Sequence, residues 1–527
     1  MAMPAQAQTA TDEAASAGEG ENTPPPAPPT TFGFEEVASL ASERATRVYE
    51  QPVAEQVGSF ANLTYDQYRA IRFRRDRDPF AGNPRFGMVL LPPGAIFYEP
   101  VNISIVRDGV PHRLEFDPSL LEFDPSQFPD GADLQNKGQM GWSGFRLRTI
   151  LNRPGVMDEF LVFQGATYFR AVARGTIYGL SARGLAIKTG SPDGEEFPLF
   201  TDFWIQEPSE TSEWVRIYAL LDSKSVAGAY QFDVNPGAST IVRTRVALFP
   251  RVELQNTGLA PLTSMFWFGK NTPHVSPDWR PEVHDSDGLE ILAANGERIW
   301  RPLNNPPGTM VNSFASPGVK GFGLMQRERD FAQYQDDGVF YERRASAWIT
   351  PQGDWGDGAV VLTELRTDDE IHDNIVAFWQ PAEPTAKGQS HDFAYRLDWV
   401  RDNPAASPIA HFTATRLGAG GVPGQPRPKG VVKVVCDFAG PNLAGLSRED
   451  GLTIKVTTGQ AQVSNTAVYP VVGTNYWRTL FDLSFAENDQ APIDLRAYVD
   501  HKGMAMTETL ILQLFPSQLR TLLARTP

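Results

Sequence analysis

Short runs in which apolar and polar residues alternate fill most of the chain after its first 85 residues. They are rich in β-branched and aromatic residues, and Gly, Pro, Asn or Asp bounds each one. The clearest runs are FGMVLLP, AIFYEPVNISIV, FLVFQGATYFRAVA, STIVRTRVALFPRVEL, SAWITP and AVVLTELRT. Because no helical periodicity separates them, the pattern predicts a mainly β fold built on a large antiparallel β-sandwich.

One helical stripe precedes these runs. Within FGFEEVASLASERATRVYEQP, apolar residues recur at the spacing of a helix face, which predicts an amphipathic helix near the start of the fold. The stripe consists of Val37, Leu40, Ala41, Ala45 and Val48.

Changes in residue composition along the chain predict two folded units. Residues 1–31 are small, acidic and Pro-rich, which is typical of a disordered tail. Residues 32–415 carry ten of the eleven tryptophans and form the predicted large sandwich, in which the candidate chemistry lies. A Gly/Pro-rich linker is predicted at 416–428. Residues 429–527 contain six or seven short alternating runs, which predict a small immunoglobulin-like sandwich.

Charge and composition exclude several classes of function. The net charge of −16 argues against nucleic acid or an anionic membrane surface as a partner. No apolar run reaches the length of a membrane span. The single cysteine, Cys436, excludes an internal disulfide and a zinc site built from cysteines, and its apolar strand predicts a buried structural thiol. Small-residue spacing at Ala5-Gln6-Ala7 resembles the end of a signal peptide, so we expect export, with the signal itself absent from this sequence.

The segment TDDEIHDNIVAFW, residues 367–379, concentrates acids directly before an apolar run. Such a cluster fits a solvated turn, a cation site or the acid of a sugar-cleaving enzyme. None of the seven histidines forms HxxxH or HxH, so we expect no metal and no cofactor. Asp368 and Asp369 are interpreted as turn residues that face water, and Trp379 as part of the core. The pair Glu370 and Asp373 remains as candidate chemistry.

A second acidic motif, PEVHDSDGLE, contains Asp285-Ser286-Asp287. It resembles the DxD of metal-dependent sugar-nucleotide transferases, but the chain has no nucleotide-binding α/β pattern. The spacing of an EF-hand fails as well. An Asx-turn between strands is the structural alternative, and the local sequence leaves it open.

Carboxylate chemistry is therefore the remaining candidate. Two acids in unlike environments can cleave a glycosidic bond, one by donating a proton and the other by activating water. The two densest acid sites of the Trp-rich part are Asp285 with His284 and Asp373 with Glu370. Aromatic residues close to them in sequence are either sugar platforms or core. The predicted substrate contacts are Trp267, Trp300, Arg301, Asn304, Trp355 and Asp287.

Seven longer motifs carry a family resemblance: GWSGFRLR, GATYFRAVARGTIYGLSARGLAI, MFWFGKN, RPEVHDSDGLEI, GERIWRPLNNP, GFGLMQRERDF and DNIVAFW. In this order they resemble the glucans biosynthesis protein G/D family, periplasmic proteins of Gram-negative bacteria required for osmoregulated periplasmic glucans. The resemblance runs from about residue 32 to the C-terminal strands. It implies a periplasmic location and a large galactose-mutarotase-like sandwich followed by an immunoglobulin-like domain.

The resemblance also implies an activity, that of an anomer-inverting glucanase or transglycosylase on linear β-1,2-glucan. By motif, Asp373 matches the general acid, Asp285 the general base and Glu370 an acid beside the general acid, while Tyr341 falls in the segment that links the two sites as a relay or positioning residue. We expect the negative charge of Glu370 to raise the pKa of Asp373. Members often read ExNDN where this chain has His372, so the surroundings of the acid differ here.

Two further functions stay open beside the enzyme. One is a non-catalytic glucan-binding partner that guides nascent chains from a membrane glucosyltransferase. The other is a mutarotase-like or lyase activity on other sugars, since large β-sandwiches host many chemistries. The sequence does not separate hydrolysis from transglycosylation. A homodimer is compatible with the family.

Overall fold

The computed structural model describes residues 31–52, 60, 62–129, 140–272, 278–405, 407–422 and 424–524. The predicted tail at 1–31, apart from Thr31, and the signal-like spacing within it lie outside the described residues. Among the described residues no helix is long and apolar enough to cross a membrane.

Strands dominate the described chain, which confirms the predicted mainly β fold. The first are β1 (Ile71–Phe73), β2 (Phe86–Leu91), β3 (Asn102–Arg107), β4 (Val110–Arg113), β5 (Leu121–Phe123), β6 (Gly144–Ile150), β7 (Met157–Gln164), β8 (Tyr168–Ala171), β9 (Ser181–Arg183), β10 (Leu185–Ile187) and β11 (Leu199–Gln206). They are followed by β12 (Val215–Asp222), β13 (Val226–Asn235), β14 (Thr240–Pro250), β15 (Thr257–Ser264), β16 (Phe266–Phe268), β17 (Val283–His284), β18 (Gly288–Leu292), β19 (Arg298–Pro302), β20 (Met310–Ala315), β21 (Gly321–Met325) and β22 (Ser346–Gln352). The last are β23 (Gly358–Glu364), β24 (Ile375–Pro381), β25 (His391–Val400), β26 (His411–Ala419), β27 (Val431–Ala439), β28 (Thr453–Thr458), β29 (Gln462–Pro470), β30 (Trp477–Ser484), β31 (Ile493–His501), β32 (Met504–Ala505) and β33 (Thr509–Leu514).

In the described part of the chain, three α-helices accompany the strands: α1 (Phe34–Thr46), α2 (Tyr65–Arg69) and α3 (Pro516–Ala524). Helix α1 is the predicted amphipathic helix, and it packs Val37 and Ala41 against an apolar patch on strands β12 to β14. Leu40 is exposed on its other side, and Val48 lies beyond its end, so only part of the predicted stripe is buried. Helix α3 follows the last strand and was not predicted.

Two large sheets form the N-terminal sandwich. The ten-stranded sheet has the order β2-β6-β7-β8-β9-β15-β24-β23-β20, with β10 beside β15. The second sheet has 15 strands in the order β28-β31-β33-β19-β18-β21-β22-β25-β14-β13-β12-β11-β3-β4, with β32 beside β31. One continuous apolar core contains residues from both sheets. The pairing is antiparallel except for β3 with β11 and β19 with β33 among the described strands.

The C-terminal strands form a second, smaller sandwich. A four-stranded sheet, β26-β27-β30-β29, faces β28, β31 and β33 across a separate core. Strand β31 has the alternation that predicted it, because buried and exposed positions take turns along it. Cys436 lies in this core, and burial raises the pKa of its thiol to about 12, as expected of a structural cysteine.

The two sandwiches share the 15-stranded sheet. Strand β33 pairs in parallel with β19, with Ile299 opposite Thr509 and Trp300 opposite Leu510. Strand β26 already belongs to the C-terminal sheet, and it includes the first four residues of the predicted linker at 416–428. The C-terminal unit is therefore joined to the N-terminal one by a sheet as well as by the chain.

Candidate active site

Asp285 and Asp373 are positioned by the same short segment, Ser264–Phe266. Asp285 follows β17, and its N–H donates to Met265 O at 2.9 Å. Asp373 lies two residues before β24, whose Ile375 is paired with Ser264. The two predicted acids, 88 residues apart in sequence, are thus fixed to neighbouring points of one segment.

Asn374 makes this attachment rigid. Its Oδ1 accepts from Phe266 N at 2.8 Å, and its Nδ2 donates to Phe266 O at 3.0 Å and to Leu365 O at 2.9 Å. The side chain is buried, so no water competes for these hydrogen bonds. Asn374 follows Asp373 directly, and nothing in the sequence except its place in the motif indicates this positioning role.

Asp285 has little contact with solvent. Its side chain is 11% exposed, and its Oδ1 lies 3.2 Å from Arg344 Nε. Burial raises the pKa of Asp285, the guanidinium of Arg344 opposes this increase, and the nearby charge of Asp373 adds to it.

Asp373 has a more open position. Its side chain is 30% exposed, and its Oδ2 lies 3.5 Å from Arg170 Nη2, which comes from β8. Asp373 and Arg170 both line a cavity of about 1030 Å³. Aromatic and charged side chains share its wall: Phe97, Tyr168, Phe197, Glu99, Arg146 and Glu195. Flat apolar rings beside charged groups suit a carbohydrate, whose rings have apolar faces and hydroxyl edges.

Tyr341 connects the two sides of the site. Its hydroxyl donates to Glu370 Oε2, and the guanidinium of Arg344 lies 5.2 Å from its ring centroid. Burial, the hydrogen bond to Glu370 and the charge of Asp285 together raise the pKa of Tyr341, so the phenol stays protonated. Phe340, just before it, has a φ of 51°, a conformation that costs a non-glycine residue roughly 1–3 kcal/mol. Such strain is typical of functional sites.

Glu370 has a partner that the sequence did not predict. Arg280 donates to both of its carboxylate oxygens, at 2.9 and 3.0 Å. The same guanidinium contacts Asp278 and Asp336, at 2.8 Å each. We expected the negative charge of Glu370 to act on Asp373, but Arg280 compensates that charge. The direct role of Glu370 is to hold the hydroxyl of Tyr341.

The rest of the acidic segment is a surface turn, as interpreted from the sequence. Asp368 is exposed and paired with Arg366 at 3.0 Å, and Asp369 accepts from Ile371 N at 2.9 Å. His372 is exposed beside Asp373. Trp379 is buried in the core, as predicted.

Three predicted substrate contacts lie inside the protein instead. Arg301 is 1% exposed and forms an ion pair with Glu364 at 2.9 Å. Asn304 is buried, and its side chain donates to Gln513 O at 3.0 Å. Trp300 belongs to the core of the smaller sandwich, beneath the guanidinium of Arg327 at 3.5 Å. The segment RIWRPLNNP supplies aromatic and polar groups, but the structure uses them to join sheets.

The remaining predicted contacts are also displaced from the cavity. Trp355 packs on Trp379 at 5.3 Å, at the end of β24 opposite Asp373. Trp267 is buried in a cluster with Tyr341, so it supports the site from behind. Asp287 accepts from the backbone N–H groups of Arg327 and Glu328, and it belongs to a polar cluster with Glu282 and His284.

That buried cluster has the composition of a metal site. One ligand atom each from Glu282, His284 and Asp287 lies within 4.8 Å of the others. Lys270 Nζ lies 3.1 Å from Glu282 Oε1, so an ammonium group already provides positive charge there. The expectation of no metal stays a prediction.

Arg170, Arg344 and Arg280 are the functional candidates that the sequence did not identify. Each contacts an acid that is distant in the chain: Asp373, Asp285 and Glu370, respectively. Arg170 and Arg280 lie within motifs that carry the family resemblance, but nothing local separates them from surface arginines. Their partners are distant in the chain, and only the tertiary fold brings them together.

Comparison with known proteins adds a family to this geometry. The sequence model of the family described as "Periplasmic glucan biosynthesis protein, MdoG" matches residues 32–514. A protein of Shewanella oneidensis named "Probable glucans biosynthesis protein D" is 40% identical over 486 residues, 92% of this chain and 89% of its own. A "Glucans biosynthesis protein G" of Bradyrhizobium diazoefficiens is 41% identical over 489 residues, 92% of this chain and 94% of its own.

Among solved structures, a galactose mutarotase related enzyme from Lactobacillus acidophilus aligns with 45% of this chain and 96% of its own. The identity is 8% and the TM-score is 0.20, so this likeness carries no argument.

Proposed function

Since the chain belongs to the MdoG family of periplasmic glucan biosynthesis proteins, we propose that it acts on linear β-1,2-glucan as an anomer-inverting glucanase or transglycosylase. Asp373 is the general acid and Asp285 the general base. A periplasmic location, reached through a signal peptide, belongs to the same proposal.

The observation that carries the proposal is the attachment of both carboxylates to Ser264–Phe266 with different access to solvent. Asp373 lines the large cavity, where a glycosidic oxygen can reach it. Asp285 lies deeper, behind Arg344. Unequal environments for two acids are what a division into acid and base requires.

The chemistry needs one proton to be delivered and one to be removed. Asp373 protonates the glycosidic oxygen as the bond to the anomeric carbon breaks, and the sugar leaves with that proton. A water or a sugar hydroxyl attacks the opposite face of the anomeric carbon, and its proton passes to Asp285. Inverting enzymes leave roughly 6.5–9.5 Å between the carboxyl groups for this nucleophile. Because Asp285 is buried, we propose that a second water or sugar hydroxyl relays the proton.

The raised pKa of Asp285 suits a base that works near neutral pH, because a carboxylate with a higher pKa binds a proton more strongly. The same property also suits an acid, so the division of roles needs its own test. A substrate whose leaving group needs no protonation should restore activity to an Asp373→Asn variant and not to Asp285→Asn. Restoration of Asp285→Asn alone would reverse the roles.

Glu370 and Tyr341 act as positioning residues in this proposal. Arg280 fixes Glu370, Glu370 fixes the hydroxyl of Tyr341, and Tyr341 packs against Arg344 beside Asp285. The chain of contacts keeps the acid-bearing turn and the base at a constant separation.

A non-catalytic role remains the alternative, in which the cavity binds nascent glucan from a membrane glucosyltransferase without cleaving it. A mutarotase-like or lyase activity on another sugar is the third candidate. Incubation with linear β-1,2-glucan separates these functions: chain length should fall or new linkages should form with the wild type, and neither should occur with Asp373→Asn. Unchanged glucan that nevertheless binds would favour the partner role. Turnover of another polymer alone would favour the third candidate.

Product analysis decides between water and a sugar hydroxyl as acceptor. Short linear products indicate hydrolysis, and cyclic or branched products indicate transfer. Sedimentation of the purified protein tests the homodimer that the family resemblance allows.

A further inference from the structure

His284 occupies a fully buried site directly behind Asp285. Its ring stacks on Phe266 at a centroid distance of 5.3 Å and an interplanar angle of 20°. The ring of Tyr334 meets it edge-on at 5.2 Å. These contacts fix the plane of the imidazole, so each ring nitrogen has one defined direction.

Both ring nitrogens of His284 face oxygen atoms. Nδ1 lies 3.0 Å from Gln326 Oε1, and Nε2 lies 3.2 Å from Glu282 Oε2. Asp287 Oδ1 lies 3.7 Å from the same Nε2. What each nitrogen does depends on whether these oxygens can donate.

The amide of Gln326 has only one sensible orientation. Its nitrogen lies 3.1 Å from the backbone oxygen of His284 and 3.1 Å from that of Tyr341. Carbonyl oxygens accept hydrogen bonds and never donate them, so the amide nitrogen must face them. The amide oxygen therefore faces Nδ1 of His284, and Nδ1 must donate.

The other ring nitrogen, Nε2, must also donate a hydrogen bond, because it faces Glu282. Its Oε1 lies 3.1 Å from the ammonium of Lys270, which favours the carboxylate. An ionised carboxylate only accepts, so Nε2 must donate as well.

We propose that His284 is a buried imidazolium, and that it acts as a positioning residue for Asp285 by holding the β17 turn through Gln326 and by placing a fixed positive charge one residue from the carboxylate. The kinetic part of this inference rests on the proposed function. The protonation state does not.

The groups around His284 balance its charge. Glu282 and Asp287 are negative and face Nε2, Gln326 and Tyr334 are neutral, and Lys270 and Glu328 form a pair behind Glu282. Burial alone would lower the pKa of His284, but Asp287, Glu282 and Gln326 raise it. The resulting cation in turn opposes the increase that burial causes in the pKa of Asp285.

Gln326 connects the charged His284 to the other residues of the site. Its amide nitrogen bridges the backbone of His284 and the backbone of Tyr341, the residue that holds Glu370. One buried side chain thus connects the turn of the base with the turn on the acid side. A neutral His284 would have to give up either this bridge or the contact with Glu282.

The protonation state is tested on the wild-type protein by NMR of histidine labelled in its imidazole ring. The chain has seven histidines. One signal should keep the chemical shifts of an imidazolium from pH 6 to about pH 8. Exposed histidines lose their proton over this range and are neutral at its upper end. Its loss in His284→Gln assigns it, and single variants of the other six assign it by elimination if that variant does not fold. A neutral spectrum for His284 at pH 7 overturns the proposal.

The kinetic role is tested by the pH dependence of kcat/KM on β-1,2-glucan. In His284→Gln the base loses a nearby positive charge, so its acid limb should move to higher pH, with activity reduced roughly 10-fold more at pH 5 than at pH 8. Gln326→Asn, which removes the acceptor of Nδ1, should move the limb in the same direction. An equal loss at every pH would mean that His284 is only structural.

A matched control is His112→Gln, an exposed histidine on β4 far along the 15-stranded sheet, which should leave the limb unchanged. If the wild type does not turn over glucan, the proposed function fails while the NMR result still decides the charge of His284. Metal analysis provides one more decision, since a stoichiometric divalent ion bound by Glu282, His284 and Asp287 would contradict an imidazolium.

Discussion

At the scale of single residues, the site depends on arginines that compensate acids. Arg344 lies 3.2 Å from Asp285, Arg170 lies 3.5 Å from Asp373, and Arg280 holds Glu370 through two hydrogen bonds. Asp285 is buried, and desolvation is the largest influence on its pKa. The protonation of Asp285 should therefore depend on Arg344, the cation with the largest opposing effect on its pKa.

Replacing Arg344 by Gln should move the acid limb of kcat/KM to higher pH. Burial raises the pKa of Asp285 and Arg344 lowers it, so removing the guanidinium takes away the largest effect that opposes burial. A base must be ionised to act, hence activity is lost at a higher pH than in the wild type. The measurement is kcat/KM on β-1,2-glucan from pH 4 to 8.

The adjacent exposed residue provides the control for this change. Arg343→Gln removes the same charge type one position away and should not move the limb. An unchanged limb in Arg344→Gln, or one displaced to lower pH, contradicts the role given to Asp285.

Tyr341→Phe should reduce kcat/KM by roughly 10- to 100-fold, the value of one hydrogen bond to a charged group. The change removes the hydroxyl that donates a hydrogen bond to Glu370, and it keeps the ring beneath Arg344. Tyr395→Phe, a buried tyrosine of β25, is the matched control and should retain activity. Equal activity of Tyr341→Phe and the wild type would remove Tyr341 from the mechanism.

At the scale of elements, the alternation of apolar and polar residues predicts individual strands, but it does not predict which strands pair with each other. The runs that predicted β2, β14, β22 and β23 are strands with those residues. Three predicted sugar contacts, Trp300, Arg301 and Asn304, are buried because RIWRPLNNP begins with β19, which lies between β18 and the distant β33. Asp373 and Asp285 were identified through family motifs. The segment that joins them becomes visible only when β15 pairs with β24 and β16 with β17.

The ion pair between β19 and β23 gives an element-level prediction. Arg301 and Glu364 are 1% and 0% exposed, and they connect the two sheets of the large sandwich. Arg301→Met leaves Glu364 buried without its cation, which should lower the free energy of unfolding by about 3–5 kcal/mol. Chemical denaturation at pH 7 measures this loss.

Two comparisons identify the cause of that loss. Arg301→Met with Glu364→Gln should recover most of the stability, because the amide oxygen still accepts from Asn304 N. Burial raises the pKa of Glu364, so the deficit of the single variant should shrink as pH falls and the carboxyl becomes neutral. A deficit that persists in the double variant would indicate lost packing instead.

At the scale of the whole molecule, the two sandwiches are mechanically one unit. The core of the smaller sandwich includes Trp300 and Met325 from the larger one. Arg327 joins Glu290 of β18 at 2.9 Å to Glu508, just before β33, at 2.6 Å. The linker predicted at residues 416–428 stays a prediction from composition, because the 15-stranded sheet contains strands from both sides of it.

We therefore expect one cooperative unfolding transition. Calorimetry of the full chain should give equal calorimetric and van't Hoff enthalpies, because the shared sheet and core prevent one sandwich from unfolding alone. Two separated transitions would mean that the sandwiches are energetically independent.

The most direct test of the central claim follows the anomeric protons during reaction with linear β-1,2-glucan by NMR. The wild type should convert the glucan. New reducing ends should appear first as the α-anomer if water is the acceptor, and new α-linkages should appear if a sugar hydroxyl is the acceptor. Asp373→Asn and Asp285→Asn should each reduce the rate by at least about 1000-fold. Products that appear first with the β configuration, or wild-type glucan that remains unchanged, would contradict the central claim.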